Sequence, residues 1–290
     1  MTLTGQGGLY RKQAKYQQAE SLFKETLGIY KQIPGTERTT VAFALNNLAD
    51  VYYSEGKYPD AAPLYQQALE ILEKTAGAND PGVATIANNL AVVHYKQGQY
   101  DKAEPLFKRA LAIRERTLPP DHPEIAQSLN CLAELYRSQH NYADAEGLYK
   151  RALAIASKSF GPEHPDVAIV LNSQGELYED EGKYDKAEDL FKQVLRIREQ
   201  AFGPDHPQVA QILDELANLY VRQGRYADAE GLFKKALAIR ETTLGAQHPD
   251  VAATLDGYAS LMYKLNRFAD ALNYQGRSLA IRLKSGLHPQ

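Results

Sequence analysis

The chain is short of cysteine, of long apolar runs and of net charge, and each shortage excludes a class of protein. Its only cysteine is Cys131, so no disulfide framework can hold the fold. Nowhere do 18 apolar residues run together, and the first residues lack the apolar core of a signal peptide. The formal net charge of −3 gives no bulk attraction for nucleic acid or acidic lipid. The sequence therefore predicts a soluble, cytoplasmic protein that binds neither nucleic acid nor membrane.

Motifs of catalysis and of metal binding are also missing. The sequence has no Gly-rich phosphate loop, no HExxH helix and no nucleophile elbow. Four histidines recur in loops, but residues on helices packed at about 8–10 Å or further cannot converge on one ion, whose ligands sit at about 2.0–2.1 Å. We expect no enzyme, no cofactor and no metal site. A capping or loop role is predicted for these histidines, His122, His164, His206 and His248.

What the sequence does contain is a strict period of 42 residues. Ala19 and Leu27 each begin a series with this spacing. Self-similarity on this scale indicates an array of repeats, in which each repeat buries its apolar face only by stacking on its neighbours. An aromatic series has the same spacing: Tyr16, Tyr58, Tyr100, Tyr142, Tyr184, Tyr226 and Phe268.

The repeat that starts at Val83 illustrates the predicted local structure. Apolar residues recur mostly at spacings of three and four as far as Tyr95, which is helical periodicity, and Gly98 then ends the helix at a turn. A second helix is predicted over 101–116, with Arg114 on its charged outer face. The His-Pro loop that follows presets the first turn of the next helix. No strand pattern occurs, so the sequence predicts an all-α fold.

Six full repeats of this kind are predicted over 41–284, after a partial repeat in 1–40 and before a tail, 285–290. The 42-residue length, the His-Pro loop and the Ala-Leu-Ala-Ile-Arg-Glu segment are similar to the kinesin light chain subclass of the tetratricopeptide repeat. This resemblance implies one α-solenoid over 1–290, a right-handed superhelix of helix-turn-helix repeats whose first helices line a concave groove. The residues that resemble the tetratricopeptide pattern include Leu45, Leu48, Ala49, Tyr52, Gly56, Tyr58, Ala61, Leu64, Tyr65, Ala68 and Leu69.

A stripe at i, i+4 and i+7 of each first helix shares one face, which the resemblance turns toward the groove. Asparagine opens this stripe in four successive repeats, although it is a poor helix-interior residue. Its amide suits the backbone of an extended peptide, or it can bond a neighbouring helix and fix repeat packing, and both interpretations stay open. The candidate peptide-binding residues are Asn46, Asp50, Tyr53, Asn88, Tyr95, Asn130, Glu134, Arg137, Asn172, Glu176, Glu179, Asp214 and Asn218.

The middle of the stripe, from Glu134 to Asp214, is acidic. It favours a basic or polar extended segment as the ligand, unless the charges are only solvated. Tyr53 and Tyr95 are expected to stack on apolar side chains of that ligand. We therefore expect a scaffold that binds a protein or peptide. The alternative is a regulatory or sensor segment of a larger enzyme or signalling ATPase.

Two irregular places break the period. Gln174-Gly175 stands on the apolar face where most other repeats have Leu-Ala, which predicts a softened interface there. In the last repeat, Leu272 and Gly276 replace a glutamate and a lysine of earlier repeats. This decay favours a fragment of a longer protein over an end that meets a partner, and it leaves the oligomeric state open.

Overall fold

The computed structural model describes residues 3–13, 15–32 and 38–284, and over these residues it contains 14 α-helices and no strand. The predicted all-α fold is confirmed. The helices are α1 (Leu3–Lys12), α2 (Tyr16–Gln32), α3 (Arg38–Ser54), α4 (Tyr58–Ala76), α5 (Pro81–Lys96), α6 (Tyr100–Thr117), α7 (Pro123–Ser138), α8 (Tyr142–Phe160), α9 (Pro165–Asp180), α10 (Tyr184–Phe202), α11 (Pro207–Arg222), α12 (Tyr226–Leu244), α13 (Pro249–Lys264) and α14 (Phe268–Lys284).

The chain forms two compact halves, residues 1–155 and 156–290. In the N-terminal half each helix from α1 to α6 packs on the next helix in sequence, and in the C-terminal half the same holds for each helix from α9 to α13. Tandem packing on sequence neighbours is the arrangement of an α-solenoid. The right-handed sense, and one continuous solenoid over 1–290, stay predictions from the resemblance.

Over 38–284 the helices follow one another from α3 to α14 with the bounds given above, and the division of 41–284 into six full repeats stays a prediction. The second helix predicted over 101–116 is α6, Tyr100–Thr117. The partial repeat at the start has a shortened first helix of 10 residues, against 16 residues in α5. The tail, 285–290, lies outside the described residues.

The turn within each repeat requires one residue in the left-handed region. Gly56 and Gly98 have φ values of 76° and 70° there, which glycine adopts without strain. His140 and Asn266 occupy the same position of their repeats and take φ values of 60° and 57°. Histidine and asparagine are among the few other residues enriched in this region, so the turn is kept without glycine.

The core is shared between the helices of one repeat and between successive repeats. Tyr65, Phe107 and Phe191, at one position of three second helices, are at most 2% exposed. Leu195 of α10 packs against buried residues at the start of α11, the first helix of the next repeat. Successive repeats such as these therefore share one apolar core, as the 42-residue period predicted.

The irregular repeat is tightly packed at Gly175. A Cβ built at Gly175 would lie 2.5 Å from Cε1 of Phe191, closer than side chains approach in proteins. Alanine stands at this position in the other full repeats, as at Ala133. The glycine makes room for the ring of Phe191. The packing at this position is therefore close, whereas the sequence predicted a softened interface.

Histidine caps the N-termini of four first helices. In each case Nδ1 accepts a hydrogen bond from the backbone N–H two residues later, at 3.2–3.3 Å. Asp80 caps α5 in the same way, accepting from the Gly82 N–H at 2.8 Å. The predicted capping role is confirmed for His122, His164, His206 and His248.

Replacing His206 by alanine is expected to lower the free energy of unfolding by about 0.5–2 kcal/mol, because the Gln208 N–H loses its acceptor. His206→Asp should recover most of this loss, since Asp80 caps α5 by the same bond. Urea denaturation measures both variants. Equal losses in the two would mean that stacking of the imidazole on Phe202, and not the cap, stabilises this loop.

Candidate functional site

The asparagines predicted to face a ligand lie between neighbouring first helices. Asn88 and Asn172 are 5% and 8% exposed, and Asn46 and Asn130 are half-buried. Asn46 Oδ1 accepts a hydrogen bond at 3.2 Å from Asn89 Nδ2 on the next first helix. Because this amide bonds a neighbouring helix, the contact favours the packing interpretation of the asparagine series over direct contact with a ligand.

Two further asparagines bridge successive first helices. Asn88 acts on the pKa of the Cys131 thiol, which it lowers, and Asn172 acts in the same direction on the pKa of the Glu215 carboxyl group. Burial raises the pKa of Cys131 to about 11, so the thiol is protonated and unreactive at neutral pH. Burial also raises the pKa of Glu215. The asparagines thus belong to a polar seam that runs between the first helices of each half.

A recurring arginine of the second helices is buried, and the prediction that placed Arg114 on the outer face is wrong. Arg114, Arg198 and Arg240 are 4%, 8% and 6% exposed. Nη1 of each donates to a backbone carbonyl in the first turn of the next first helix, at 3.2, 2.9 and 2.7 Å. The recurrence of arginine within an apolar segment is the sequence signal that could have revealed these hydrogen bonds.

Asp214 is held by an arginine of its own repeat and by a threonine of the next. Its carboxylate pairs with Arg240 at 2.7 Å and accepts a hydrogen bond from Thr254 Oγ1 at 2.8 Å. Burial raises the pKa of Asp214 to about 6, although Arg240 and Thr254 both act to lower it. Asp256 and Arg282 make the equivalent pair in the last repeat. Asp214 therefore contributes packing more than free negative charge.

The two predicted carboxylates of the N-terminal half are each bound by a tyrosine. The hydroxyl of Tyr65 donates to Asp50, and the hydroxyl of Tyr149 donates to Glu134 at 2.7 Å. Glu134 also pairs with Arg137 at 3.0 Å. Burial raises the pKa of Asp50, and the hydrogen bond from Tyr65 opposes that rise. Both carboxylates are half-buried, so each keeps part of its surface open to solvent.

Three predicted residues of the C-terminal half are half-buried or exposed. Glu176 is half-buried and accepts a hydrogen bond from Asn172 Nδ2 at 3.0 Å. Glu179 pairs with the exposed Arg222 at 3.0 Å, which offsets part of the predicted acidity. Asn218 is exposed on α11.

The two predicted tyrosines pack on the aromatic series of the second helices. The ring of Tyr53 lies 5.7 Å from that of Tyr58, and the ring of Tyr95 lies 5.8 Å from that of Tyr100. The Tyr95 hydroxyl also forms a hydrogen bond with Ser138 Oγ at 2.9 Å. Both tyrosines are half-buried, and burial raises the pKa of each. Each tyrosine therefore packs within its own repeat and is only partly open to solvent.

In each half, the residues of the first helices that are exposed or half-buried form a row that overlaps the predicted one, and we call these rows the exposed stripe. Its members recur at i, i+4, i+7 and i+11, and none of them is buried. In the N-terminal half they are Phe43, Asn47, Asp50, Ser54, Thr85, Asn89, Val92, Lys96, Gln127, Cys131, Glu134 and Ser138. In the C-terminal half they are Ile169, Ser173, Glu176, Asp180, Gln211, Glu215, Asn218, Arg222, Ala253, Gly257, Ser260 and Lys264.

Sequence reasoning missed most of the exposed stripe because it followed the recurring asparagine. Stripe positions change residue type from one repeat to the next, as from Thr85 to Gln127 and Ile169, whereas packing positions keep theirs. Variation among repeats is thus the signal that marks the accessible side of these helices.

In the part of the chain that the structure describes, no three His, Cys, Asp or Glu side chains are grouped as they would be around a metal ion. Among the same residues, no helix has both the length and the apolar character needed to cross a membrane. The four loop histidines hold helix N-termini instead.

The chain is similar to solved tetratricopeptide structures, whereas no curated protein sequence matches it. A kinesin light chain-like protein from Podosopora anserina with nearly identical TPR-like repeats is 26% identical. That match has a TM-score of 0.61 and covers 72% of this chain and 98% of the other.

Two further matches have lower sequence identity. A Rap protein complexed with Competence and Sporulation Factor is 17% identical, with a TM-score of 0.63 over 91% of this chain and 80% of that chain. A Signal Transduction ATPase with Numerous Domains from Pyrococcus horikoshii, which has a tetratricopeptide repeat sensor, is 15% identical. Its TM-score is 0.69, and the match covers 98% of this chain and 42% of that one. At these identities the likeness shows the fold alone.

The family profile for the tetratricopeptide repeat matches nearly all of the sequence. The matched segments are 1–74, 40–116, 82–130, 124–200, 174–242 and 210–284. These segments overlap and include every helix described above. The chain belongs to the tetratricopeptide repeat family.

Proposed function

We propose that the protein is a non-enzymatic, cytoplasmic scaffold whose exposed stripe binds an extended, polar or basic segment of a protein partner. The observation that carries the proposal is that, in each half, accessible side chains follow one another on successive first helices, beside a polar seam that fixes their positions. Family membership supports it, since the similar Rap protein was solved in complex with Competence and Sporulation Factor.

The accessible amides would hold the backbone of the bound segment. Asn89, Gln211 and Asn218 offer both donors and acceptors on the stripe, as the N–H and C=O groups of an extended chain require. Each such hydrogen bond contributes about 0.5–1.5 kcal/mol. The buried Asn88 and Asn172 would act by positioning the first helices, without touching the ligand.

The carboxylates would select the charge of the segment. Glu176 and Asp180 are accessible on the stripe of α9, and Glu134 is half-buried on α7. Exposed charge pairs contribute only about 0.2–1 kcal/mol, so these groups should affect selection and on-rate more than affinity. A basic or polar ligand is therefore expected to bind more weakly as salt concentration rises.

Selection from a peptide library at low and at high salt tests this function. We expect polar or basic peptides, and a loss of affinity of up to about tenfold when Asn218, whose side chain is exposed, is replaced by alanine. Glu176→Gln with Asp180→Asn should mainly flatten the salt dependence. Asp185→Asn with Asp189→Asn is the matched control, because these exposed acids have the same spacing on the second helix of that repeat.

Acidic peptides from the selection would contradict the proposal. So would equal effects of the stripe variant and of its control on α10. Circular dichroism of each variant separates loss of binding from loss of fold.

A second candidate function is that of a sensor segment in a larger signalling ATPase. It is favoured by the match to the tetratricopeptide repeat sensor protein from Pyrococcus horikoshii, of which this chain covers 42%. The open reading frame around this sequence decides between the two. Nucleotide-binding motifs in a flanking segment would favour the sensor, and their absence from the full frame would favour the scaffold.

A further inference from the structure

Four large apolar side chains of the last helix, α14, are exposed together. Phe268, Leu272, Leu279 and Leu283 are 56%, 62%, 49% and 70% exposed. Spacings of four, seven and four residues put all of them on one side of the helix, which we call the terminal face. Leu272 and Leu279 also line a cleft of about 590 Å³ on this side.

In earlier second helices the next repeat covers part of the same side. Leu237 and Leu195, at the position of Leu279, pack against apolar residues at the start of α13 and α11. Among the described residues no helix follows α14, and Leu279 lies open. A group of large apolar side chains exposed on one side of a helix marks a candidate contact site.

The terminal face has lost charges that earlier second helices carry at the same positions. Glu230 pairs with Lys234 at 2.8 Å, and α14 has Leu272 and Gly276 in their places. Leu283 replaces a glutamate in the same way. A terminal repeat that faces solvent needs a polar outer surface. The replacement of charged residues by leucine and glycine on α14 therefore indicates that the terminal face is covered by another surface. Further pairs of this kind are Glu20–Lys24, Glu104–Lys108, Glu146–Lys150 and Glu188–Lys192.

One more repeat of the same kind does not fit the terminal face. In earlier repeats the glutamate at the position of Leu272 accepts a hydrogen bond from a tyrosine of the next first helix, as Glu188 does from Tyr220 at 2.9 Å. The glutamate at the position of Leu283 pairs with a basic residue of the next second helix. A leucine side chain can form neither the hydrogen bond nor the ion pair. The surface that covers the terminal face is therefore apolar at positions where a further repeat would be polar.

The terminal face is self-complementary in its spacing. Phe268 and Leu283 are equally far from a midpoint just before Gly276, and so are Leu272 and Leu279. In an antiparallel pair of helices each residue would therefore meet its counterpart, phenylalanine against leucine and leucine against leucine. A Cβ at Gly276 would meet nothing within 4 Å, so two backbones can approach closely there. We propose that the terminal face binds a second copy of this chain through a two-fold, antiparallel pair of α14 helices.

Charge does not oppose this pairing. Arg277 and Arg282 on α14 are already paired with Glu241 and Asp256 of their own chain, and the four side chains of the terminal face are uncharged. Only one side of one helix is buried per copy, less than the roughly 1,200–2,000 Å² of stable interfaces. The dimer is therefore weak and depends on concentration.

Sedimentation velocity over a range of concentrations tests the pairing. The mass should rise with concentration from 32.3 kDa toward twice that value. Leu272→Glu with Gly276→Lys restores the Glu–Lys pattern of earlier second helices and should stay monomeric. Ile169→Glu, a charge placed on the exposed stripe, should dimerise like the unmodified chain. A monomer at every concentration overturns the proposal, as does a dimer that survives the double substitution.

Cross-linking tests the direction of the pair. In a Cys131→Ser background, chains with Leu272→Cys and chains with Leu279→Cys are treated with a short bis-maleimide, separately and mixed. The antiparallel pair predicts cross-linked dimers in the mixture and few in either chain alone. Efficient cross-linking within one variant would indicate a parallel or shifted pair and overturn the proposal. These readouts do not involve a peptide ligand, so they are independent of the proposed function.

Discussion

An Arg240→Ala variant is expected to lose about 3–5 kcal/mol of its free energy of unfolding, because it leaves Asp214 as a buried carboxylate without its cation. Arg240 is 6% exposed. Its Nη1 donates to the Asp250 carbonyl oxygen at 2.7 Å and to Thr254 Oγ1 at 2.6 Å, and it pairs with Asp214 at 2.7 Å. The variant thus removes the ion pair with Asp214 within one repeat and the hydrogen bonds to Asp250 and Thr254 of the next repeat. Chemical denaturation measures the loss.

The chain offers its own control for this pair. Asn46 and Leu72 occupy the positions of Asp214 and Arg240 in an earlier repeat, and Leu72 is 1% exposed there. The double variant Asp214→Asn with Arg240→Leu copies that pair, so it should be clearly more stable than Arg240→Ala. If the double variant is no better, the side-chain packing of Arg240, and not its charge, determines the loss.

The loss should also depend on pH. Burial raises the pKa of Asp214 to about 6 even with Arg240 beside it, and removal of Arg240 should raise it further. A carboxyl group whose pKa is raised in the folded state destabilises that state at high pH, and the effect fades as pH falls and the group is protonated. The difference in free energy of unfolding between the unmodified chain and Arg240→Ala should therefore shrink as the pH falls from about 8 to about 5. If this difference does not change with pH, Arg240 has no effect on the pKa of Asp214.

Phe191→Ala is expected to lose a similar amount, about 3–5 kcal/mol. Phe191 is fully buried, and its ring fills the space that Gly175 leaves, since a Cβ there would lie 2.5 Å from Cε1. Because Gly175 has no side chain to move into the cavity, the site cannot easily collapse, and the cost should lie toward the upper end. Thermal and urea unfolding both measure it.

A double-mutant cycle tests the contact itself. Gly175→Ala alone should cost about 1–3 kcal/mol by overpacking, and much less in the Phe191→Ala background, where the cavity can take the methyl group. Gly231→Ala is the control: it lies within α12 with nothing within 4 Å of its Cβ, so it should gain about 0.5–1 kcal/mol. Equal costs of Gly175→Ala in the two backgrounds would contradict the ring contact.

The fold could be predicted from sequence because its signals are local and repeated. Periodic apolar residues, a left-handed turn residue such as Gly98 and a His-Pro cap each act within a few residues. Because the pattern recurs six times, irregular residues in single repeats do not obscure it. The second helix predicted over 101–116 accordingly ends within one residue of α6 on each side.

The candidate site was harder to predict because burial of a polar side chain depends on distant partners. Arg114 has the spacing of an outer residue, but the carbonyl it binds belongs to the next first helix. Asn46 bonds Asn89, one repeat away, and nothing in either local sequence distinguishes this contact from a ligand contact. At Gly175 the local pattern suggested weakness, whereas the ring of Phe191 compensates from the second helix.

The most direct measurement of the central claim is a map of where a selected peptide touches the protein. A peptide that carries a photo-reactive diazirine is cross-linked to the protein, and the modified residues are identified by mass spectrometry. Binding on the exposed stripe predicts adducts on side chains such as Ser173, Gln211 and Asn218, and few on α10 or α12. Adducts concentrated on those second helices, or on the terminal face of α14, would contradict the account.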